Sequence, residues 1–379
     1  AARAGGLLWD ACSLGDTIGS SLSSSHVRLG KFARCLDARI VDMDALRDLA
    51  WSGVPVCYRQ AVWQMLLGYL PANRDRQGVS MSKKLLEYQQ SVVHYFGVTP
   101  TSPSAAATAA GSAAASGGGV PSSPAAAGGG GGGGFTGSGT KAEPDQTLLR
   151  QILVDVPRTF KDIALLRTDY VQRSLERVLY VWAIRHPASG YVQGINDLAT
   201  PFYAVFLAPW ADLDTTDLSH VDAATLLEVE SDVYWCLTKL LDGIQDHYTP
   251  SQPGIHRMMH RLRELVNRID GACRGCCCVS GETTTAPAPS YLRRVRAGPL
   301  VAHLESNGIE FLQFAFRWMN CLLMRELPFP LIVRLWDTSS LSKAMRQAHR
   351  IFLRRVQLPV ARCVYKALAK RVFRVTSGS

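Results

Sequence analysis

Apolar residues recur at intervals of three and four along most of this chain, and that spacing predicts helices. Between 169 and 186, Val171, Leu175, Val178, Leu179 and Trp182 share one face, and the run ends at His186-Pro187, where a helix cannot easily continue. Residues 229 to 245 place Val233, Leu237, Leu240, Leu241 and Ile244 on one face. Residues 255 to 269 do the same with Ile255, Met258, Met259, Leu262, Val266 and Ile269, and 309 to 325 continue the pattern. Nearer the start, Asp42 or Asp44 is placed to cap a short helix through Leu46 and Leu49, and Gly53-Val54-Pro55 then turns the chain into a helix around Val62, Met65 and Leu66. A further amphipathic stretch uses Leu85, Leu86, Tyr88, Val92 and Val93. Alternation of period two is confined to short runs, so the expected fold is all-α, built from many packed helices.

Two stretches lack such a pattern. Residues 1 to 28 are rich in Ala, Gly and Ser and predict a mobile N-terminal segment, with structure beginning near Leu29. From 98 to 144 the composition falls to Ala, Gly, Ser and Pro, with seven consecutive glycines at 128–134. Such a segment buries too little apolar surface to offset the ordering of its backbone. It reads as a low-complexity insertion within one folded unit, since loop closure becomes only slowly more unfavourable with length. The expected organisation is then 29–97 and 145–338 for the folded part, a loop insertion at 272–298, and a basic tail at 339–379.

The candidate chemistry sits in two short motifs, IxxDxxR from Ile152 to Arg158 and YxQ from Tyr191 to Gln193. Pro157 fixes its own φ and pushes Val156 out of the α region, so Asp155 to Arg158 is expected as a loop with Arg158 projecting from a stiffened turn. Gly190 and Gly194 bracket Tyr191-Val192-Gln193 and permit positive φ, while Asn196 or Asp197 is placed to cap a following apolar helix through Leu198, Phe202, Val205 and Phe206. Taken alone, an Arg three residues after an Asp is ordinarily a surface ion pair, and a lone loop Gln is ordinarily a loop-stabilising amide. Together they fit phosphoryl transfer to water. There a planar, permanently charged guanidinium neutralises phosphate oxygens, and a neutral amide orients the attacking water by donating and accepting at once.

At these residues the chain resembles the TBC-domain GTPase-activating proteins that act on Rab GTPases. Three segments carry the resemblance: Arg59-Gln60-Ala61-Val62-Trp63 within WSGVPVCYRQAVWQMLLGYLP, Ile152 to Arg158, and Tyr191-Val192-Gln193 within IRHPASGYVQGINDL. ESNGIEFLQFAFRWMNCLLMREL at 305–327 and RLWDT at 334–338 look like the TBC-domain family member 22 subgroup. The resemblance spans residues 30–97 and 145–338 and resumes on both sides of the low-complexity insertion. It implies a multi-helical, two-lobed TBC domain and a Rab-type small GTPase as partner. By the same resemblance Arg158 is an arginine finger and Gln193 a glutamine finger that substitutes for the GTPase's own glutamine. Asp155 and Arg59 would orient the finger loops, with Trp63 packed beneath and Ile152, Tyr191, Asn196 and Asp197 in support. GTP and its magnesium ion would belong to the partner, since this chain has no GxxxxGK(S/T) loop. The chain would therefore be a GTPase activator in vesicle trafficking, with no cofactor of its own and no substrate turnover alone. A non-catalytic Rab-binding or Golgi scaffold of the same fold is the alternative.

Charge changes this picture little. The chain carries 41 Lys or Arg against 31 Asp or Glu, a formal +10, and ten of the cations lie in 338–379, which holds no acid. The remainder is balanced at 31 to 31, with cations interleaved among acids as in Arg261-Leu262-Arg263-Glu264, so a nucleic-acid partner is not expected. Three readings of the tail stand: substitute packing helices, a membrane-directed segment giving peripheral contact with Golgi or other endomembranes, or a shifted-frame or truncated gene model. Residues 272–298 read as an added surface loop or an unremoved intron. Their Cys273 to Cys278 run offers a CxxC without the second ligand pair that a structural zinc site needs, so no metal is expected. Most of the ten cysteines, such as Cys236 and Cys321, are isolated among apolar neighbours and indicate no disulfide framework. With no secretory pattern and no run approaching the roughly 20 apolar residues that span a bilayer, the expected location is the cytoplasm.

Overall fold

The computed structural model describes residues 22–97, 145–272 and 299–339, and all regular structure among them is helical apart from one isolated bridge between Ile40 and Asn73. The helices are α1 (Leu22–Asp37), α2 (Met43–Trp51), α3 (Val56–Leu66), α4 (Gln77–Phe96), α5 (Gln146–Asp155), α6 (Asp169–Arg185), α7 (Ile195–Phe206), α8 (Ala223–Asp242), α9 (Pro253–Ala272), α10 (Pro299–Ser306), α11 (Phe311–Asn320) and α12 (Phe329–Ser339). Their starts follow local chemistry. Asp42 caps α2 by accepting from the N–H groups of Asp44 and Ala45, Asp145 caps α5 through Thr147 and Leu148, and Asp222 caps α8 through Thr225. Of the two aspartates expected at α2, Asp42 is thus the cap. α6 ends at Arg185 with His186 before Pro187, where the periodicity stops. α1 begins at Leu22, seven residues ahead of the expected Leu29.

Two cores organise the chain. The larger gathers α1 to α8 together with Cys321, Met324, Phe329, Ile332 and Trp336. At its centre lies α7, whose residues are all buried except half-buried Ala204, and α8 packs against it and against α4 and α6. A helix apolar on every side belongs in the middle of a helical protein. The smaller core joins Ile255, Met259 and Val266 of α9 to Val301 and Leu304 of α10 and to Phe311 and Ala315 of α11. These are the two lobes expected, and α12 carries the chain back from the second to the first, against α2.

The face expected for α4 is only partly the buried one. Tyr88 and Val92 are inside, joined by Met81, but Leu86 and Val93 are exposed. Buried polar contacts fix the face instead: the Tyr88 hydroxyl donates to Glu230 at 2.7 Å, and Arg177 binds the same carboxylate through two nitrogens at 2.8 and 2.6 Å. One buried acid on α8 thereby ties α4 and α6 together, and its pairing offsets the desolvation of the charge. Among the cysteines, Cys236 and Cys321 are free and buried and Cys35 is free and half-buried. The Cys273–Cys278 run lies outside the described residues. No described helix is long and apolar enough to cross a membrane.

Candidate functional site

α5 runs directly into one 3-10 turn, Val156–Arg158, which Thr159 closes: its N–H bonds the Val156 carbonyl at 3.1 Å and its hydroxyl donates to the Asp155 carbonyl at 3.0 Å. The expected loop is a 3-10 turn continuous with α5, and Val156 stays in the α region (φ −56°, ψ −49°) instead of being pushed out of it by Pro157, which sits at the start of the turn, where a helical turn tolerates proline. Ile152 and Val156 point into the large core and are fully buried, which leaves Pro157 and Arg158 on the outside. Arg158 makes no ion pair and no side-chain hydrogen bond with a described residue.

The second motif is held by its glycines. Gly190 (φ 60°) and Gly194 (φ 111°) both occupy the left-handed region, so the chain between them turns Tyr191 inward and Gln193 outward. Gly194 itself is the N-cap of α7, rather than Asn196 or Asp197 as the sequence led one to expect. The break in the backbone at Gly194 starts the helix earlier, and Asn196 in its first turn folds back to accept the Gly194 N–H at 2.9 Å. The Asn196 amide also donates to the Thr159 hydroxyl at 2.8 Å, joining the two motifs. Further along α7, Pro201 cannot donate to the Asp197 carbonyl, and the Thr200 hydroxyl takes that acceptor at 2.8 Å.

Asp155 is the junction of the site. Buried at 7% exposure, it accepts from the Tyr191 hydroxyl through Oδ2 at 2.9 Å and lies 3.4 Å from Gln193 Nε2 through Oδ1. Arg158 ends the 3-10 turn three residues beyond Asp155. Gln193 is thus exposed beside this acid, and exposed Arg158 follows the acid by three residues. Burial, reinforced by the neighbouring Asp155 carboxylate, pushes the Tyr191 phenol well up and keeps it a proton donor.

The turn after α11 braces the same area from the other side. Arg325 Nε meets Asp197 Oδ2 at 2.6 Å, and Asn320 Nδ2 donates to the Gln193 carbonyl at 3.2 Å. Burial pushes the Asp197 carboxyl up, opposed by the Arg325 guanidinium and by a hydrogen bond from the Cys321 thiol. That thiol is itself pushed up to about 11 by burial and by the Asp197 charge.

Arg59 and Trp63 are not brought to the finger motifs. Arg59 Nε binds Asp337 Oδ1 at 3.0 Å and its Nη2 binds the Val54 carbonyl at 2.8 Å and Asp337 Oδ2 at 3.2 Å. Trp63 Nε1 donates to Asp337 Oδ1 at 2.9 Å and the Val54 N–H to Oδ2 at 2.9 Å. Arg59 thus locks α3 to α12 instead of orienting the finger loops, because a fully buried carboxylate claims its guanidinium. Trp63 makes an edge contact with Phe202 of α7. The residues that spacing did not single out are Thr159, Asn320, Cys321, Arg325 and Asp337. The segments 305–327 and 334–338, which carry four of them, were visible as a resemblance, but no local pattern attaches a role to any one of them.

A model of the family described as Rab-GTPase-TBC domain matches residues 135–273 and 292–358, running into the basic tail. The protein named GTPase-activating protein gyp1 of Schizosaccharomyces pombe is 43% identical over 314 residues, covering 82% of this chain and 48% of that protein. Human TBC1 domain family member 22A is 38% identical over 328 residues, covering 84% of this chain and 50% of its own. The chain therefore spans about half the length of the curated relatives it matches. The crystal structure of the Ypt/Rab-GAP domain of Gyp1p superimposes with a TM-score of 0.60 at 35% identity, covering 86% of this chain and 82% of that one.

Proposed function

Given that the chain belongs to the Rab-GTPase-TBC domain family, we propose that it accelerates GTP hydrolysis by a Rab-type small GTPase through Arg158 and Gln193 supplied in trans. One observation supports this reading: exposed Gln193 lies 3.4 Å from buried Asp155, three residues before exposed Arg158, which has no partner of its own among the described residues. GTP and magnesium come with the partner. Arg158 neutralises charge developing on the phosphates, and Gln193 orients the attacking water. Gln193 rests against Asp155 at 3.4 Å in the free chain and turns from it to reach that water. Exposed Leu153 and Val154, on the last turn of α5, offer apolar surface beside Arg158 for the GTPase to cover. The ten cations of 338–379 would add attraction to anionic endomembrane lipid, where a Rab regulator works.

The test is single-turnover phosphate release from a panel of GTP-loaded Rab proteins, with wild type and Gln193→Ala. At least one Rab should hydrolyse faster with the wild-type chain, and Gln193→Ala should remove most of that gain. A chain that binds members of the panel and accelerates none is a scaffold, and the catalytic reading is then wrong.

A further inference from the structure

We propose that Asn320 is a positioning residue for the glutamine finger, so that the second lobe aims Gln193 from behind. The inference rests on the catalytic reading above and adds a residue to it. Asn320 closes α11, the last helix of the smaller core, and is 8% exposed. Its Nδ2 donates to the main-chain carbonyl of Gln193 at 3.2 Å, while its own carbonyl receives the Tyr248 hydroxyl at 2.8 Å. The contact is close enough to dictate the next residue: a Cβ on Gly194 would lie 2.9 Å from Asn320 Nδ2 and 3.0 Å from Cys321 Sγ. Gly194 at φ 111° is the pivot from which Gln193 leaves α7. Pinning the carbonyl just before that pivot fixes the peptide plane, and with it the direction of the Gln193 side chain.

Two features indicate that Asn320 is kept for aim and not for stability. Among the described residues its Oδ1 is buried with no hydrogen-bond partner, a destabilising arrangement that an apolar residue of the same shape would relieve. Directly after it, Leu322 (φ 46°) and Leu323 (φ 65°) occupy the left-handed region, which disfavours residues with a side chain. Such strain persists where the surroundings over-determine the backbone. Here the surroundings are the Asn320–Gln193 contact on one side and the Arg325–Asp197 pair on the other.

The experiment is a double-mutant cycle between Asn320→Leu and Gln193→Ala, read by single-turnover phosphate release from the most responsive GTP-loaded Rab of the panel. Asn320→Leu should lower the rate at saturating chain about tenfold, the scale of a small misplacement of a reacting group. The half-saturating concentration and the melting temperature should hold. Added to Gln193→Ala, it should slow the reaction no further, since a residue that acts only through Gln193 has nothing left to aim. If the two losses multiply, or if Asn320→Leu is as fast as wild type while Gln193→Ala is slow, the proposal is overturned. A Gln193→Ala variant with full activity would instead strike the catalytic reading itself. Should Leu lower the melting temperature, Asn320→Ser repeats the cycle with a smaller side chain, and the same criterion of non-multiplying losses applies.

Discussion

Arg59 and Arg158 are arginines of two signature segments, and the structure gives them opposite surroundings. Arg59 is spent inside the protein, with its guanidinium divided between Asp337 and the Val54 carbonyl, so α3 and α12 are stitched together across 278 residues of sequence. Arg158 stands on a proline-stiffened turn with its side chain uncommitted among described residues. The difference lies in what each faces. A buried carboxylate opposite an arginine makes it structural, whereas a buried carboxylate one turn behind it, turned instead toward Tyr191 and Gln193, leaves it without an ion pair among the described residues.

The sharpest way to break that contrast is to remove each arginine and ask whether rate or stability falls. Arg158→Ala should lower Rab-stimulated phosphate release by about a thousand-fold or more, the scale of an arginine finger supplied in trans. Its melting temperature should remain within a degree or two, because an exposed side chain without partners contributes little to the fold. Arg59→Ala should do the reverse. It leaves the buried Asp337 carboxylate without its cation, which destabilises by about 3–5 kcal/mol. Thermal unfolding should show that loss, while the rate per folded molecule stays within about twofold of wild type. An Arg59→Ala chain that melts normally but fails to stimulate hydrolysis would restore the loop-orienting role that the family resemblance implied and erase the distinction.

Asp155→Ala probes the junction and should fall between the two fingers and the background. Removing it frees Gln193 and leaves the Tyr191 hydroxyl only Asn196 Oδ1 at 3.3 Å, so both motifs lose a common reference while Arg158 and Gln193 remain present. The expected loss is about ten- to a hundred-fold in single-turnover rate, smaller than that of Arg158→Ala. A larger loss than that of the finger itself would show that Asp155 acts in the chemistry directly.

How much of this could be read from the sequence follows the range of the interactions. The helix at Asp169–Arg185 was legible because its periodicity, its His186-Pro187 stop and its packing face all agree. The same period misjudged Leu86 and Val93, since an amphipathic count finds a face but not what covers it, and on α4 the buried Tyr88–Glu230 contact turned the helix. The turn carrying Gln193 was legible from Gly190 and Gly194, whose backbone preferences are local, whereas Val156 keeps α geometry despite the Pro157 that follows it. The partners were not. Asn320 lies 127 residues from the carbonyl it holds, and Asp337 lies 278 residues from Arg59, distances over which spacing carries no information.

The smallest expected effect tests what kind of bond braces each region. The clamp at Arg59 relies on a guanidinium, a group that does not lose its proton in proteins. The finger region relies in part on neutral donors facing carboxylates, Tyr191 toward Asp155 and Cys321 toward Asp197. In the folded chain the Cys321 thiol is held up at about 11 against an ordinary 9.0. A raised folded value means that the native state keeps its proton where the unfolded chain loses it. The contribution is therefore fully present below about 9 and fades as the pH rises through about 11. Other buried tyrosines share this slope, so the diagnostic quantity is a difference: melting temperature against pH from 8 to 11 for wild type and for Cys321→Ala. The variant should melt lower throughout, because it leaves a cavity, but its curve should fall less steeply above about pH 9. Parallel curves would mean that the thiol titrates alike in the folded and unfolded chains, and the bracing of Asp197 would then rest on Arg325 and the Asn196 amide.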